Sequence, residues 1–169
     1  MNLSNYKTIK NFLDKKTFLK CQEILFGELP WFYRGELVED KKNNFYFTHS
    51  FMKEQQVTSP AYDHIIKPFV ERLRMKYIFE IRANLILKTD KEIFSGFHVD
   101  TDKSSTTAIF YVNNNNGHTI LDKKKKIKIK PTANKLLIFN NELPHGVMAQ
   151  TNTKRRIIIN FNYTPHELI

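Results

Sequence analysis

One cysteine, one tryptophan and five glycines are all that the 169-residue chain holds of those types. A lone thiol, Cys21, can form neither a disulfide framework nor a cysteine zinc site within the chain, so a reducing cytoplasm is the expected setting. No apolar run approaches the roughly 20 residues that span a bilayer, and the opening MNLSNYKTIKNFLDKK lacks the apolar centre of a secretory signal. No membrane partner is expected. Acidic residues are also scarce: 17 Asp and Glu face 27 Lys and Arg, a formal net charge of +10. Such an excess suits nucleic acid, because Lys and Arg neutralise phosphates. Most of it is lysine spread along the chain, however, in a sequence rich in Asn, Lys and Ile, and composition bias alone gives that. The tetralysine at 123–126 reads as a loop, and the following IKIK as an edge strand on which lysine guards against aggregation.

Aromatic residues are plentiful: 14 Phe and 7 Tyr in a chain that is 41% hydrophobic. This favours a sheet-rich interior, and the length suits one domain over 1–169. DKKTFLKCQEILF (14–26) reads as an amphipathic helix with Asp14 as N-cap and Phe18, Cys21 and Leu25 on one face. SPAYDHIIKPFVERLRMKY (59–77) reads as a second, started by Ser59–Pro60 and kinked or divided at Pro68. From about residue 78 the periodicity becomes that of strands: IFEIRANLILK, STTAIFYVN before an NNNNG turn, TILD, IKIK, KLLIF and RRIIINFNY. With NNFYFTHSF (43–51) about eight strands are expected. The fold class is mainly β with N-terminal helices: helical support over about 1–77 packs outside a double-sheet jelly roll or barrel over about 78–163.

SGFHVDT (95–101) puts His98 and Asp100 two residues apart. At strand spacing both side chains point to one face and can reach one ion. His145, which follows the apolar KLLIF and precedes Gly146, is the third candidate; glycine there permits close backbone approach. Two imidazoles and one carboxylate form the facial triad of non-haem Fe(II) oxygenases, which leaves coordination positions open. Arg156 opens the last apolar strand. A guanidinium buried in a pocket needs an anion, and it grips a carboxylate through two parallel bonds.

These residues, in this order, resemble the Fe(II)- and 2-oxoglutarate-dependent dioxygenases, in particular the prolyl-hydroxylase-like branch and its small bacteriophage-encoded versions. RANLILKTDKEIFSGFHVD, TAIFYVNNNNGHTIL, PTANKLLIFNNELPHGV and KRRIIINFNY carry the likeness over about residues 80–163. The resemblance implies a double-stranded β-helix, with His98, Asp100 and His145 as iron ligands. It makes Arg156 the anchor of the cosubstrate 2-oxoglutarate, with Arg155 the rival. Asn84 and Arg82, on one strand face, match pocket-lining positions, so Asn84 is a candidate for cosubstrate contact. Two departures stand out. Phe110 occupies a position where the family often has a cosubstrate-holding tyrosine, with Tyr111 expected on the opposite face; and GHT replaces GGxT. The implied reaction uses O2 and releases succinate and CO2, with hydroxylation as the outcome. The substrate is open between a protein side chain, a nucleic acid and a small molecule, and a non-catalytic jelly-roll binding module is the alternative of a different class. Other residues read as structural: His49 as a satisfied strand histidine, His64 on a polar helix face, His118 in a turn, His166 near the terminus and Trp31 as core or rim packing. Asp102 is the lesser rival of Asp100.

Overall fold

The structure, a computed structural model, describes residues 6–27, 29–35, 45–100 and 105–166. Helix α1, Lys15–Phe26, starts where expected: the Asp14 carboxylate accepts from the Thr17 amide at 3.0 Å, and the helix buries Cys21 and Leu25. The second helical stretch is shorter than its pattern suggests. It consists of α2, Tyr62–Ile65, and α3, Lys67–Arg72, with Pro68 in the first turn of α3. Proline has no N–H to continue the ladder from α2 and is tolerated only where a helix begins, so it divides the segment. Arg74 then turns the chain with φ at 48°, and Met75–Tyr77, expected in the helix, open a strand instead.

Eleven strands appear among the described residues, more than the periodicity announced. They are β1 Tyr6–Ile9, β2 Phe32–Arg34, β3 Tyr46–Lys53, β4 Gln56–Val57, β5 Met75–Leu87, β6 Thr106–Tyr111, β7 His118–Leu121, β8 Ile127–Ile129, β9 Lys135–Asn140, β10 His145–Met148 and β11 Arg155–Pro165. The large sheet runs β1-β9-β6-β11-β5-β3-β2, with β4 beside β3, and the small one runs β10-β7-β8. The tetralysine sits in the turn before β8, and β8 is an edge strand, as the sequence implied.

Each face of the large sheet is covered. On one side Ala108, Phe110, Val112, Ile157, Ile159 and Phe161 pack with Cys21, Leu25, Ile65 and Phe69 of the helices. On the other, Ile109, Tyr111, Leu137, Phe139 and Ile158 meet Leu121 and Ile129 of the small sheet. This is the helix-backed jelly roll predicted, and the site lies between its two sheets. His49 is a buried strand residue bonded to Pro30 O at 2.7 Å and Ser59 Oγ at 2.8 Å. His64 and His166 are exposed, and Trp31 packs against the main core. His118 is not in a turn but is the first, half-buried residue of β7. Among the described residues no helix is long and apolar enough to cross a membrane.

Candidate metal centre and cosubstrate pocket

The HxD segment is not a strand of either sheet. Residues 93–98 run antiparallel along β10 with few regular bonds: Ser95 N to Val147 O, and a reciprocal pair between His98 and His145, all at 2.9 Å. Gly146 makes this approach possible. A Cβ there would stand 2.3 Å from Gly96 O and 2.7 Å from the Phe94 ring, which no L side chain tolerates. The glycine therefore sets the distance between the two segments that carry the histidines.

The ligand atoms of His98, Asp100 and His145 all lie within 4.8 Å of one another. Asp100 Oδ1 is 3.4 Å from His98 Nε2 and 3.5 Å from His145 Nε2. Adjacent ligands about 2.1 Å from one ion stand roughly 3.0–3.4 Å apart, so these separations suit a shared metal. His145 Nδ1 lies 3.4 Å from Leu143 O. Donation to that carbonyl leaves Nε2 free to ligate. Burial raises the Asp100 pKa, but bonds from His145 and His98, the charge of His145 and the Asn160 bond outweigh it, so the carboxyl stays well below its ordinary range. It is an anion ready for a cation. Asp102 lies outside the described residues.

Arg156 and Arg155 face opposite ways, as alternation along β11 requires. Arg155 is exposed, with its guanidinium 4.5 Å over the Phe26 ring. Arg156 is fully buried. Its Nη1 donates to Met148 O at 3.2 Å and His118 O at 3.4 Å, its Nη2 to Thr119 Oγ1 at 3.2 Å, and its Nε has no partner. Every acceptor is neutral, and burial lowers its pKa to about 10. A guanidinium does not deprotonate in a protein; that shift measures how poorly the free cation is compensated. A carboxylate ligand corrects both defects, so the residues fit the cosubstrate. The cavity lining includes the triad, Asn84, Ile86, Ile109, Val147 and Ile158, and Arg156 lies past Ile158 on the same face of β11.

The tyrosine expectation was placed one residue off. Phe110 faces the helices, against the rings of Phe12, Phe18 and Phe69. Tyr111 is the residue between the sheets, and its hydroxyl donates at 2.8 Å to Thr119 Oγ1, the atom that also accepts from Arg156. The sequence therefore retains a phenol beside the guanidinium. Asn160, which sequence reasoning passed over, donates from Nδ2 to Asp100 Oδ2 at 2.8 Å. Its signal was present: in RIIINFNY, Asn160 and Asn162 fall on the same face as Arg156 in an otherwise apolar strand. Arg82 and Asn84 do line the cavity; Arg82 Nη1 pairs with Glu80 at 3.1 Å, while Arg82 Nε and Asn84 Oδ1 are buried without partners.

A His-Asp-His cluster between the sheets of a jelly roll is the donor set used by mononuclear non-haem Fe(II) oxygenases. Residues 86–164 match the sequence profile of the 2OG-Fe(II) oxygenase superfamily. The enzymes that this profile describes use Fe(II) and 2-oxoglutarate, with O2 as the other reactant. No curated protein sequence matches the chain significantly. The fold recurs in a 2OG-Fe(II) oxygenase family oxidoreductase of Burkholderia pseudomallei, with TM-score 0.74 and 12% identity over 96% of this chain and 86% of that one. It recurs in a prolyl-4-hydroxylase of Pseudomonas putida, with TM-score 0.65 and 14% identity over 98% and 95%. A viral collagen prolyl hydroxylase from Paramecium bursaria Chlorella virus-1 gives 0.60 and 17% over 95% and 96%. At such identities these likenesses concern the fold.

Proposed function

We propose that His98, Asp100 and His145 hold the iron, that Arg156 anchors the far carboxylate of 2-oxoglutarate, and that the enzyme hydroxylates its substrate. The observation that carries this reading is the buried Arg156, with neutral acceptors only and an orphaned Nε, on the strand face that leads to the triad. Iron held by these three residues would supply the oxidising chemistry, with 2-oxoglutarate and O2 consumed and succinate and CO2 formed from the cosubstrate. The chain supplies geometry and exclusion of water. Arg156 fixes one end of the cosubstrate. Thr119 and Tyr111 hold the guanidinium and the phenol on one oxygen. Ile86, Ile109, Val147 and Ile158 give the intervening wall its apolar surface. Asn84, with its unpartnered Oδ1, is placed for cosubstrate contact. Tyr46 and Arg82, both half-buried lining residues, are where we place substrate entry.

Among the described lining residues Arg82 is the only Lys or Arg, and the tetralysine lies in the turn between β7 and β8, which starts at Asp122, bonded to Pro144 beside the first residue of β10. A described lining with one cation favours a protein side chain or small molecule over nucleic acid. The cytoplasm, suggested by the single thiol, is the proposed location. The test is anaerobic titration with Fe(II) and 2-oxoglutarate, followed by O2-dependent succinate formation. His145→Ala should lower metal affinity by orders of magnitude. A protein that takes up no stoichiometric metal is a binding module instead, and this reading fails.

A further inference from the structure

The two oxygens of Asp100 have different neighbours. Oδ1 faces both His98 Nε2 and His145 Nε2, at 3.4 and 3.5 Å, whereas Oδ2 accepts from Asn160 Nδ2 at 2.8 Å. The amide orientation follows from chemistry, since an ionised carboxylate only accepts and the nitrogen must face it. Asn160 is 4% exposed and sits on β11, paired with Arg82 of β5 on one side and Ile109 of β6 on the other. Its own Oδ1 has no partner among the described residues, and the bond to Asp100 is the one hydrogen bond its side chain makes there. The donor comes from the centre of the large sheet, the most rigid support available, whereas Asp100 lies in an irregular segment.

We propose that Asn160 is a positioning residue that keeps Asp100 a one-oxygen ligand. The inference rests on the metal reading above. A carboxylate binds a divalent ion through one oxygen or two. Two imidazoles and one oxygen occupy three positions of a six-coordinate ion. Three remain: two for the chelating end of the cosubstrate and one spare. A second carboxylate oxygen would take the spare position. By holding Oδ2 on its amide, Asn160 turns that oxygen away from the ion and preserves the vacancy on which the reaction depends.

The test counts water on Mn(II)-loaded protein by water-proton relaxivity, with and without saturating 2-oxoglutarate. The native protein should keep one exchangeable metal-bound water after the cosubstrate binds. Asn160→Leu, branched like asparagine but without a donor, should keep none and fall to the relaxivity of a water-free ion, while still binding one Mn(II). Asn160→Ala carries the same test should the leucine not fold, and Asn160→Ser, which retains a short donor, should restore part of the signal. Equal residual relaxivity in the native protein and in Asn160→Leu or Asn160→Ala overturns the assignment. Failure of the native protein to bind Mn(II) at all overturns the metal reading instead, so the two failures are distinct.

Discussion

Arg156 shows how much a single side chain can commit to a ligand. It is 0% exposed, and its bonds go to two carbonyls and a hydroxyl. A desolvated pairing with a carboxylate is worth roughly 2–5 kcal/mol. Arg156→Ala should thus weaken 2-oxoglutarate binding to Mn(II)-loaded protein by roughly 30- to 5000-fold, measured by anaerobic calorimetry. Metal affinity should stay nearly unchanged. Arg156→Lys should recover only part, because a point charge cannot replace the fork. Arg155→Ala should leave cosubstrate affinity as it was, since that side chain stacks on Phe26 on the far side. A large loss from Arg155→Ala alone would place the anchor there. Tyr111→Phe is the finer probe. The phenol shares Thr119 Oγ1 with the Arg156 guanidinium, which sets it beside the carboxylate that Arg156 would grip; the substitution removes the hydrogen bond the phenol would give that carboxylate. One hydrogen bond is worth about 0.5–1.5 kcal/mol, so 2-oxoglutarate affinity should fall by roughly 2- to 13-fold, whereas an unchanged affinity would mean that the phenol only packs. That the phenol is Tyr111 and not its neighbour was illegible from the chain. In TTAIFYV both alternate sets, Ala108, Phe110, Val112 and Ile109, Tyr111, are apolar and buried. Alternation assigns a face only when one side meets water. In β11 the interior set is broken by Arg156, Asn160 and Asn162, and there the face could be read.

The segments that read correctly have signals contained within themselves. α1 declares its start through Asp14 and its buried face through Cys21 and Leu25, and β11 is a long apolar run. The strands that escaped notice are short or defined by a partner. β2 and β4 have three and two residues, and β10, HGVM, has no alternation of its own. β10 exists because β7 pairs with it on one side and residues 93–98 lie along the other. The same dependence explains why HVD looked like a strand and is only a bridge: its partner is a short edge, and its geometry serves the triad. Gly146 is the hinge of that arrangement, and Gly146→Ala tests it. The added methyl would meet the Gly96 carbonyl at 2.3 Å, and a backbone atom cannot swing aside as a side chain can. Overpacking of this kind costs about 1–3 kcal/mol. Relief requires β10 to part from residues 94–98, which separates His145 from His98. Mn(II) affinity should fall about 10- to 100-fold, the range seen when support of a ligand is lost. Gly35→Ala is the control, because its Cβ would meet only the Tyr33 ring, at 3.7–3.8 Å. Equal metal affinity in Gly146→Ala and Gly35→Ala would show that the approach of the two segments does not set the site.

Two sheets and a helical layer enclose several ionisable groups, and these make the stability of the protein depend on alkaline pH. Cys21, Tyr111 and Tyr163 are each pushed up to about 12 by burial, from ordinary values of 9.0, 10.0 and 10.0. Between the ordinary and raised values the folded chain keeps a proton that the unfolded chain has lost. Stability therefore falls as pH rises, by about 1.4 kcal/mol per pH unit for each group fully in that window. Arg156, lowered by burial, has the opposite sign, but a guanidinium that stays protonated gives no such offset. Urea unfolding should thus show little contribution from these groups below pH 8 and a slope approaching roughly 4 kcal/mol per pH unit between 10 and 12. Tyr163 separates this account from a general loss of surface ion pairs. It is 0% exposed and its hydroxyl has no hydrogen-bond partner, so the fold bears the cost of desolvating a polar group and gains no bond. Tyr163→Phe keeps the ring that packs with the helices and removes that cost. It should be neutral or stabilising by about 1 kcal/mol at pH 7. It should also remove about one third of the alkaline slope, because one of the three shifted groups is gone. A destabilised variant with the native slope would mean that the Tyr163 hydroxyl is hydrogen-bonded in solution and that burial does not raise its pKa.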